Sequence, residues 1–321
     1  MEKNEHFIQV CNYFFTGKQQ VPAGEQPRLI FVFGSPGAGK STNIKPLLLK
    51  SFQTSPACLE VDELKAFIKP LLLKSFQTSP ACLEVDELKA FIKPLLLKSF
   101  QTSPACLEVD ELKAFLPEGE ERNPQMADEW FNRIVDEAVK LRYNLVIFRL
   151  RNMLLPGQTA RILRHAREHG YQTEVDILAL DRRRSTLGMI HRYEQALENQ
   201  NKSAPKDVVN YPRRPEFAKH FILFKALPVV TGLCEKSKLV DKINVYDRQG
   251  NRLAWQNKIS GTRSELSPSQ ALRQERKRRW LLCEKARYQL QRREDIEKMK
   301  RRRSAFRELW TAKILTSLFG K

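Results

Sequence analysis

The feature that most constrains the fold of this chain is a glycine-rich loop with the pattern GxxxxGK[ST]. An apolar run at 29–33 precedes the loop and has the composition of a buried strand, and a segment of helical character, 43–53, follows it. In this strand–loop–helix order the pattern predicts a phosphate-binding loop rather than a chance glycine-rich turn. The loop residues are Gly34, Ser35, Pro36, Gly37, Ala38, Gly39, Lys40, Ser41 and Thr42.

The chemistry of phosphate binding explains why these residue types occur in this order. Glycines allow successive backbone N–H groups to point at one phosphate without a Cβ atom in the way, and the N-terminus of the next helix adds partial positive charge. All the residues of 34–42 are therefore candidate nucleotide-binding residues. Lys40 is expected to reach the β- and γ-phosphates, and the Ser41 hydroxyl is the candidate Mg²⁺ ligand.

Composition indicates an ordinary globular protein with a basic C-terminal region. The chain has 321 residues, 41% of them hydrophobic, and a formal net charge of +19. From residue 271 to the end there are 17 Lys and Arg against 6 Asp and Glu, so much of the positive charge lies in this tail.

No stretch approaches the roughly 20 apolar residues of a membrane span, and no signal-peptide pattern follows the polar start. The cysteines form no CxxC pair and no metal spacing. We therefore expect a cytoplasmic protein without a transmembrane segment.

A unit of 24 residues is repeated between residues 45 and 115. The copies begin at Lys45, Lys69 and Lys93 and are identical until Leu116-Pro117 follows the third. Working solenoids vary between repeats and have distinct caps, so identical copies predict a tandem duplication instead. Each copy combines a helical part, a Thr-Ser-Pro turn and a short strand that ends in Val-Asp.

A phosphate-binding fold needs one such unit: a helix, then a strand whose final carboxylate faces the phosphates. The three copies offer Asp62, Asp86 and Asp110. Asp62 is connected to Lys40 without interruption, and Asp110 is connected in the same way to the chain downstream. Asp86 has neither connection. Asp62 and Asp110 are therefore the two candidates, and the sequence does not choose between them.

Further along the chain, strands alternate with helices at lengths typical of parallel β-α units. The predicted fold class is α/β, a mostly parallel sheet of the P-loop NTPase type flanked by helices, with a basic helical C-terminal extension. The predicted helices are 123–142, 156–169 and 185–198, the predicted strands are 145–148 and 174–180, and a hairpin spans 242–255 around Gly250-Asn251.

Three regions are predicted: an N-terminal lead-in (1–27), a nucleotide-binding domain that contains the repeats (28–260) and the basic extension (261–321). The extension has a strong helix start, with Ser267 as N-cap, Pro268 next and Gln270 completing a capping box. Three interpretations of the extension stay open. Its apolar positions pack on the domain or on a partner, its charges bind nucleic acid or an anionic lipid surface, or it docks to an acidic protein.

Between about residues 28 and 255 the sequence resembles the zeta-toxin family of P-loop small-molecule kinases. The resemblance rests on 170–180 (GYQTEVDILAL), 185–194 (STLGMIHRYE) and 245–250 (VYDRQG), which are more specific than the glycine-rich loop. It implies transfer of the γ-phosphate of ATP, or of GTP, to a hydroxyl of a nucleotide sugar, typically UDP-N-acetylglucosamine. It also implies Mg²⁺ as a cofactor and, often, an antitoxin protein as partner.

The resemblance also implies roles for individual residues. Lys40 and Ser41 would hold the phosphates and Mg²⁺, and Asp62 or Asp110 would be the base that orients the sugar hydroxyl. Arg192 would be a charge-stabilising arginine from the lid helix. A helical arginine next to a tyrosine and a glutamate is also a common surface ion pair, so this role stays open.

Two segments depart from the family pattern. After the strand at 145–148 the family has a small hydroxyl residue followed by arginine, whereas this chain has Arg149-Leu150-Arg151-Asn152. Arg151 would keep the phosphate- or sugar-facing charge, but the hydroxyl is missing. The second lid arginine has no counterpart in 199–205, where Lys202 offers charge without a bidentate fork. The alternative is therefore a catalytically weak or inactive nucleotide-binding protein whose basic tail binds nucleic acid or a protein partner.

Overall fold

The structure is a computed structural model that describes residues 11, 15, 18–52, 106–107, 124–148, 156–202 and 214–317. Within these ranges, seven strands form one sheet with the order β2-β3-β1-β4-β5-β6-β7. The first five strands in this order are parallel, and β6 and β7 are antiparallel to their neighbours. The predicted α/β class with a mostly parallel sheet is confirmed. The strands are β1 (Arg28–Gly34), β2 (Cys106–Leu107), β3 (Leu145–Ile147), β4 (Gln172–Leu178), β5 (Lys242–Tyr246), β6 (Arg252–Asn257) and β7 (Thr262–Arg263).

Helices flank this sheet, and the last three form the extension. The helices predicted at 123–142, 156–169 and 185–198 correspond to α2, α3 and α4, and α4 is longer than predicted at both ends. The described helices are α1 (Lys45–Lys50), α2 (Pro124–Lys140), α3 (Pro156–Glu168), α4 (Arg182–Lys202), α5 (Phe217–Lys236), α6 (Pro268–Lys277), α7 (Leu282–Arg301) and α8 (Phe306–Leu315).

The main core lies between the sheet and the helices packed on it. The run 29–33 of β1 is almost completely buried, as expected of a parallel strand covered on both faces. Leu272 of α6 belongs to the same core, so the first helix of the extension packs on the sheet domain. A second, smaller cluster joins Ile190 of α4 to Ile296 and Met299 of α7 and to Ala312 of α8. The extension thus packs on the domain along two separate contacts.

Two local predictions are confirmed in detail. At the start of α6, Ser267 Oγ accepts a hydrogen bond from the N–H of Gln270, and the Gln270 side chain accepts one from the N–H of Ser267. In the hairpin between β5 and β6, Gly250 has a φ of 89°, and Asp247 Oδ1 accepts from the N–H of Asn251 at 2.9 Å. Both motifs form because their partners are only a few residues apart.

Of the repeat region 45–115, the structure describes 45–52 of the first copy and 106–107 of the third. The described part of the third copy is β2, which pairs parallel to β3 with Leu107 opposite Ile147. The candidate carboxylates Asp62 and Asp110 lie outside the described residues, as does Asp86. The sheet therefore takes a strand from the third copy.

Among the described helices, α5 has the length and composition of a membrane span, with a mean hydropathy of 1.4. Core helices of globular proteins satisfy the same criterion. In this structure α5 contributes the fully buried Leu223 and Leu227 to the main core. Arg276 of α6 donates from Nη1 to the backbone oxygen of Phe224 at 2.8 Å. Helix α5 therefore packs on the core along one side, whereas Phe221, Ile222, Val229 and Leu233 on its other sides are exposed.

Candidate functional site: the glycine-rich loop and helix α4

The glycine-rich loop connects β1 to a helix that begins with an unusual turn. Gly37 and Gly39 have φ angles of 74° and 90°, a conformation that residues with a Cβ atom rarely adopt. A π-helical turn, Lys40–Ile44, leads into α1, and the N–H of Lys45 donates to the backbone oxygen of Lys40. Pro46 has no N–H, and its ring presses on the carbonyl four residues earlier. The wider turn accommodates it at the start of α1.

Lys40 folds back over the base of the loop. Its Nζ donates to the backbone oxygens of Gly34 and Ser35, at 3.1 Å each. Ser35 is fully buried, and its Oγ has no hydrogen-bond partner. The loop thus brings together an ammonium group, an unpartnered hydroxyl and the N–H groups of a left-handed turn. These are the donors that a phosphate group requires, so the loop fits a phosphorylated ligand.

Helix α4 packs on this loop through main-chain contacts. A Cβ atom at Gly37 would lie 2.3 Å from the backbone oxygen of Ser185 and 2.6 Å from the nitrogen of Met189. Conversely, a Cβ atom at Gly188 would lie 2.2 Å from the backbone oxygen of Gly37. No side chain fits at these distances. The two glycines therefore determine how closely α4 approaches the glycine-rich loop.

The side chains of α4 divide between two opposite faces. With about 3.6 residues per turn, Ser185, Gly188 and Arg192 share the face that meets the loop. Arg192 is exposed and lies about one turn beyond the contact between Gly188 and the loop. Glu194 lies on the opposite face and His191 about 100° from Arg192, at the side of the helix, and both bond to residues of the extension. The candidate lid arginine is thus on the face of α4 that contacts the glycine-rich loop.

His220 of α5 holds the start of α4 in place. The Ser185 Oγ and the His220 Nε2 are 2.7 Å apart, and both residues are buried. Burial, together with the charges of Arg182, Arg276 and Lys40, lowers the pKa of His220 to about 4. The imidazole is therefore neutral at pH 7 and adds no second cation next to Lys40.

The turn between β5 and β6 contacts the helical turn Lys40–Ile44 that follows the glycine-rich loop. Asn43 Nδ2 donates to the backbone oxygen of Arg248 at 2.7 Å. Burial lowers the pKa of the Arg248 guanidinium, and the nearby charges of Arg184 and Arg287 lower it further. Arg184 comes from α4 and Arg287 from α7, so this turn, α4 and the extension bring positive charge together around Arg248.

A cavity of about 400 Å³ lies between α1 and strands β4–β6. In its wall, Arg28 Nη2 and Glu174 Oε2 form an ion pair at 2.7 Å. Asn244 Nδ2 donates both to Glu174 and to the fully buried Asp176, at 2.5 and 2.8 Å. Burial, and then the charge of Glu174, raise the pKa of Asp176 well above its ordinary value. These polar residues have no predicted role.

The structure describes part of the predicted site. It includes the backbone of the whole loop, 34–42, and Arg192 on the loop-facing side of α4. The side chains of Ser41 and Thr42 lie outside the described part, as do Asp62, Asp110 and Arg151. In the ranges that are described, no three His, Cys, Asp or Glu side chains are grouped so as to hold a metal ion. The catalytic and metal-binding roles therefore stay predictions.

Three residues in contact with the site have no predicted role: Asn43, Arg248 and His220. Asn43 directly follows the glycine-rich motif, and Arg248 lies in the segment 245–250 that carries the family resemblance, so a sequence signal existed for both. His220 is distant from the loop in sequence and belongs to no recognised motif. Its role depends on tertiary contact alone.

Among solved structures, the chain resembles the PezAT chromosomal toxin–antitoxin system of the human pathogen Streptococcus pneumoniae. The TM-score is 0.56 and the identity is 18%, over 90% of this chain and 92% of that chain. The AvrRxo1-ORF1:-ORF2 complex with ATP gives a TM-score of 0.47 and an identity of 11%, over 88% and 74% of the two chains. The PezAT similarity supports the fold described above.

In sequence, a family model described as zeta toxin matches residues 12–72 and 89–260. The unmatched gap, 73–88, lies entirely within the middle repeat copy, 69–92. No curated protein matches the chain significantly. The family match covers well over half of the chain and includes both the glycine-rich loop and α4. The chain therefore belongs to the zeta toxin family.

Proposed function

We propose that this chain is a kinase of the zeta-toxin type that transfers the γ-phosphate of ATP to a hydroxyl of a nucleotide sugar such as UDP-N-acetylglucosamine. The observation that carries the proposal is the direct packing of α4 on the glycine-rich loop, with Arg192 and Gly188 on one helix face. Phosphoryl transfer depends mainly on positioning and on neutralising charge on the γ-phosphate oxygens. Lys40 in the loop and Arg192 on the facing helix are suited to this task.

The loop and two arginines have distinct parts in this proposal. The backbone N–H groups of 34–39, except at Pro36, and the ammonium group of Lys40 bind the phosphates of ATP, or of GTP as the alternative donor. Arg192 neutralises negative charge on the transferred group, and Arg151 adds positive charge on the acceptor side. Mg²⁺, with the Ser41 hydroxyl as a ligand, would supply further charge neutralisation on the phosphate oxygens when bound.

We propose Asp110 as the carboxylate that takes the proton of the acceptor hydroxyl, with Asp62 as the alternative. Leu107 of β2 is level, across β3, with Phe31 of β1. Asp110 follows Leu107 by three residues, as Gly34 at the start of the loop follows Phe31 by three. The carboxyl ends of parallel strands share one edge of a sheet, and ligands bind there in open α/β folds. Because β2 belongs to the third repeat copy, we propose the carboxylate of that copy rather than that of the first.

The test is transfer of the labelled γ-phosphate of ATP to UDP-N-acetylglucosamine. We expect product from the intact chain and a loss of about a hundredfold or more in Lys40→Ala, because the lysine stabilises the transition-state charge. A version that lacks residues 68–115 joins Phe67 to Leu116 and keeps one repeat copy. Product from this shortened version alone means that the duplication inactivates a sound enzyme. ATP binding without transfer in both versions contradicts the proposed acceptor.

An antitoxin protein in the cytoplasm is the partner that we propose, because the similar PezAT is a toxin–antitoxin system. The alternative function, a weak nucleotide-binding protein whose tail binds nucleic acid, predicts salt-sensitive retention on DNA or RNA without ATP turnover. In the described part of the extension, Lys298 and Arg302 are engaged in ion pairs with α4. Packing on the domain is therefore the interpretation of the extension that its contacts favour.

A further inference from the structure

The extension contacts α4 on the face opposite to the glycine-rich loop. An apolar cluster formed by Ile190, Ile296, Met299 and Ala312 lies between the two regions. Around it, polar and charged side chains of α4 pair with side chains of the extension. The loop thus meets the front of α4, and the extension supports its back. The pairs are Arg184–Glu284 (2.9 Å), His191–Asp295 (2.9 Å), Glu194–Arg302 (2.8 Å) and Glu198–Lys298 (2.9 Å).

Arg302 makes the most strongly directed of these contacts. Its Nε and Nη2 donate to the two carboxylate oxygens of Glu194, at 2.9 and 2.8 Å, and Glu194 is only 2% exposed. Its Nη2 also donates to Glu308 at 2.5 Å, and its guanidinium lies 5.3 Å from the centre of the Tyr193 ring. A bidentate pair with a buried carboxylate fixes both distance and direction, which a lysine does not do.

The position of Glu194 is coupled to that of Arg192 by helix geometry. The two residues are two positions apart and therefore about 200° apart around the axis of α4. Holding the carboxylate of Glu194 at the back of the helix thus fixes the direction in which Arg192 leaves the front. The main-chain contact at Gly188 holds α4 about one turn before Arg192. The contacts at Ser185 and Gly188 hold the first half of α4. Beyond Gly188, the pair with Arg302 adds a bidentate contact that fixes the direction of the helix.

We propose that Arg302 is a positioning residue for phosphoryl transfer: by binding Glu194, it holds α4 so that Arg192 faces the glycine-rich loop. This inference rests on the kinase function proposed above. Arg302 acts through Glu194. The basic extension is then a structural support of the lid helix.

The test compares Arg302→Gln and Arg302→Lys in the full chain, with Arg301→Gln as the matched control. Arg301 directly precedes Arg302 and is exposed, and its substitution by glutamine removes the same positive charge. In transfer from ATP to UDP-N-acetylglucosamine we expect Arg302→Gln to lower kcat by about tenfold or more, because small misplacements of a catalytic group are costly. The KM for ATP stays nearly unchanged because the loop is intact. Arg302→Lys is expected to be intermediate, and Arg301→Gln to resemble the unmodified chain.

A second readout does not depend on activity. Hydrogen–deuterium exchange of the backbone in 190–198 is expected to be faster in Arg302→Gln than in Arg301→Gln. Because Arg302→Gln leaves a buried carboxylate without its partner, the double variant Arg302→Gln/Glu194→Gln guards against loss of folding. It removes both charges and is expected to show the same fall in kcat.

Three outcomes would overturn the proposal: a normal kcat in the folded variants, a higher kcat, or exchange equal to that of the control. A normal kcat with lower stability would show that the pair of Arg302 and Glu194 only stabilises the fold. A higher kcat would show that the extension restrains α4 and slows the reaction. If the unmodified chain transfers no phosphate to this acceptor, the proposed function fails. The exchange measurement then decides separately whether Arg302 holds α4.

Discussion

The two faces of α4 are held by different kinds of contact. The front meets the glycine-rich loop through main-chain atoms at Gly37 and Gly188, with no space for a side chain. The back meets the extension through side chains, among them Glu194 and Glu198, which are paired with cations. A close-packed main-chain contact cannot readjust, whereas the partly exposed pair of Glu198 and Lys298 at the edge of the back exchanges readily for water. We therefore expect the front of α4, which contacts the loop, to tolerate substitution far less than the exposed edge of its back, where Glu198 pairs with Lys298.

The largest effect is expected from Gly188→Ala. The added Cβ atom would lie 2.2 Å from the backbone oxygen of Gly37, so α4 or the loop must move. We expect a loss of about 3 kcal/mol in the free energy of unfolding, as found for overpacked sites, together with weaker ATP binding. Urea unfolding and calorimetric titration with ATP measure the two effects.

Gly232→Ala is the matched control, since Gly232 lies within α5 and an added Cβ atom has nothing within 4 Å. There alanine is expected to stabilise the protein by about 0.5–1 kcal/mol, because glycine is a poor helix former. Equal stability of the two variants would show that the loop and α4 are not in the close contact described.

The next effect concerns His220, which bonds to Ser185 at the front of α4. Its pKa in the folded protein is about 4, below the ordinary value of 6.5, so protons bind more readily to the unfolded chain. The stability that neutral His220 contributes is complete above about pH 6.5 and is lost as the pH falls towards 4. We expect a loss of about 2 kcal/mol between pH 7 and pH 5, measured by urea unfolding at each pH.

His220→Gln isolates this contribution from those of other titrating groups. Glutamine keeps an N–H donor for Ser185 but does not ionise in this range. The difference in unfolding free energy between the unmodified chain and the variant should therefore change with pH. If the two curves run parallel, His220 does not carry the expected dependence.

The smallest effect is expected at the rim of the back of α4. Lys298 Nζ and Glu198 Oε2 are 2.9 Å apart, and their side chains are 19% and 39% exposed. Lys298→Gln should therefore cost only about 0.5 kcal/mol, and less in concentrated salt, which screens exposed pairs. Thermal unfolding at low and high salt, with the exposed Lys285→Gln as control, measures this. A loss as large as that of Gly188→Ala would break the contrast between the two faces.

Local features of the fold were predictable from the sequence, whereas long-range contacts were not. β1, the loop and the following helical turn are contiguous in sequence, and the partners of the α6 capping box and of the turn at Gly250 are close neighbours. Helix α5 was not predicted because large apolar residues occur on several of its sides, with Phe221 exposed and Leu223 buried. In such a segment the apolar residues do not recur on one face, so the sequence lacks the pattern of an amphipathic helix.

The candidate site shows the same division. Lys40 and the loop glycines were predicted because the motif contains them all, and Arg192 because its segment resembles a family pattern. Arg302 and Glu194 are 108 residues apart. The chain has 56 Lys and Arg residues, and nothing in the sequence indicates which of them pairs with Glu194.

By itself, therefore, the sequence determined the α/β class, the glycine-rich loop between β1 and the following helix, and the helical start of the extension. Each of these follows from residues that are near neighbours, whose backbone and capping preferences act locally. Only the tertiary structure decided that the third repeat copy supplies β2 and that the extension lies against the back of α4. Both depend on packing and pairing between segments far apart in sequence. Burial of apolar surface and complementary charge select these contacts only once the whole chain is folded.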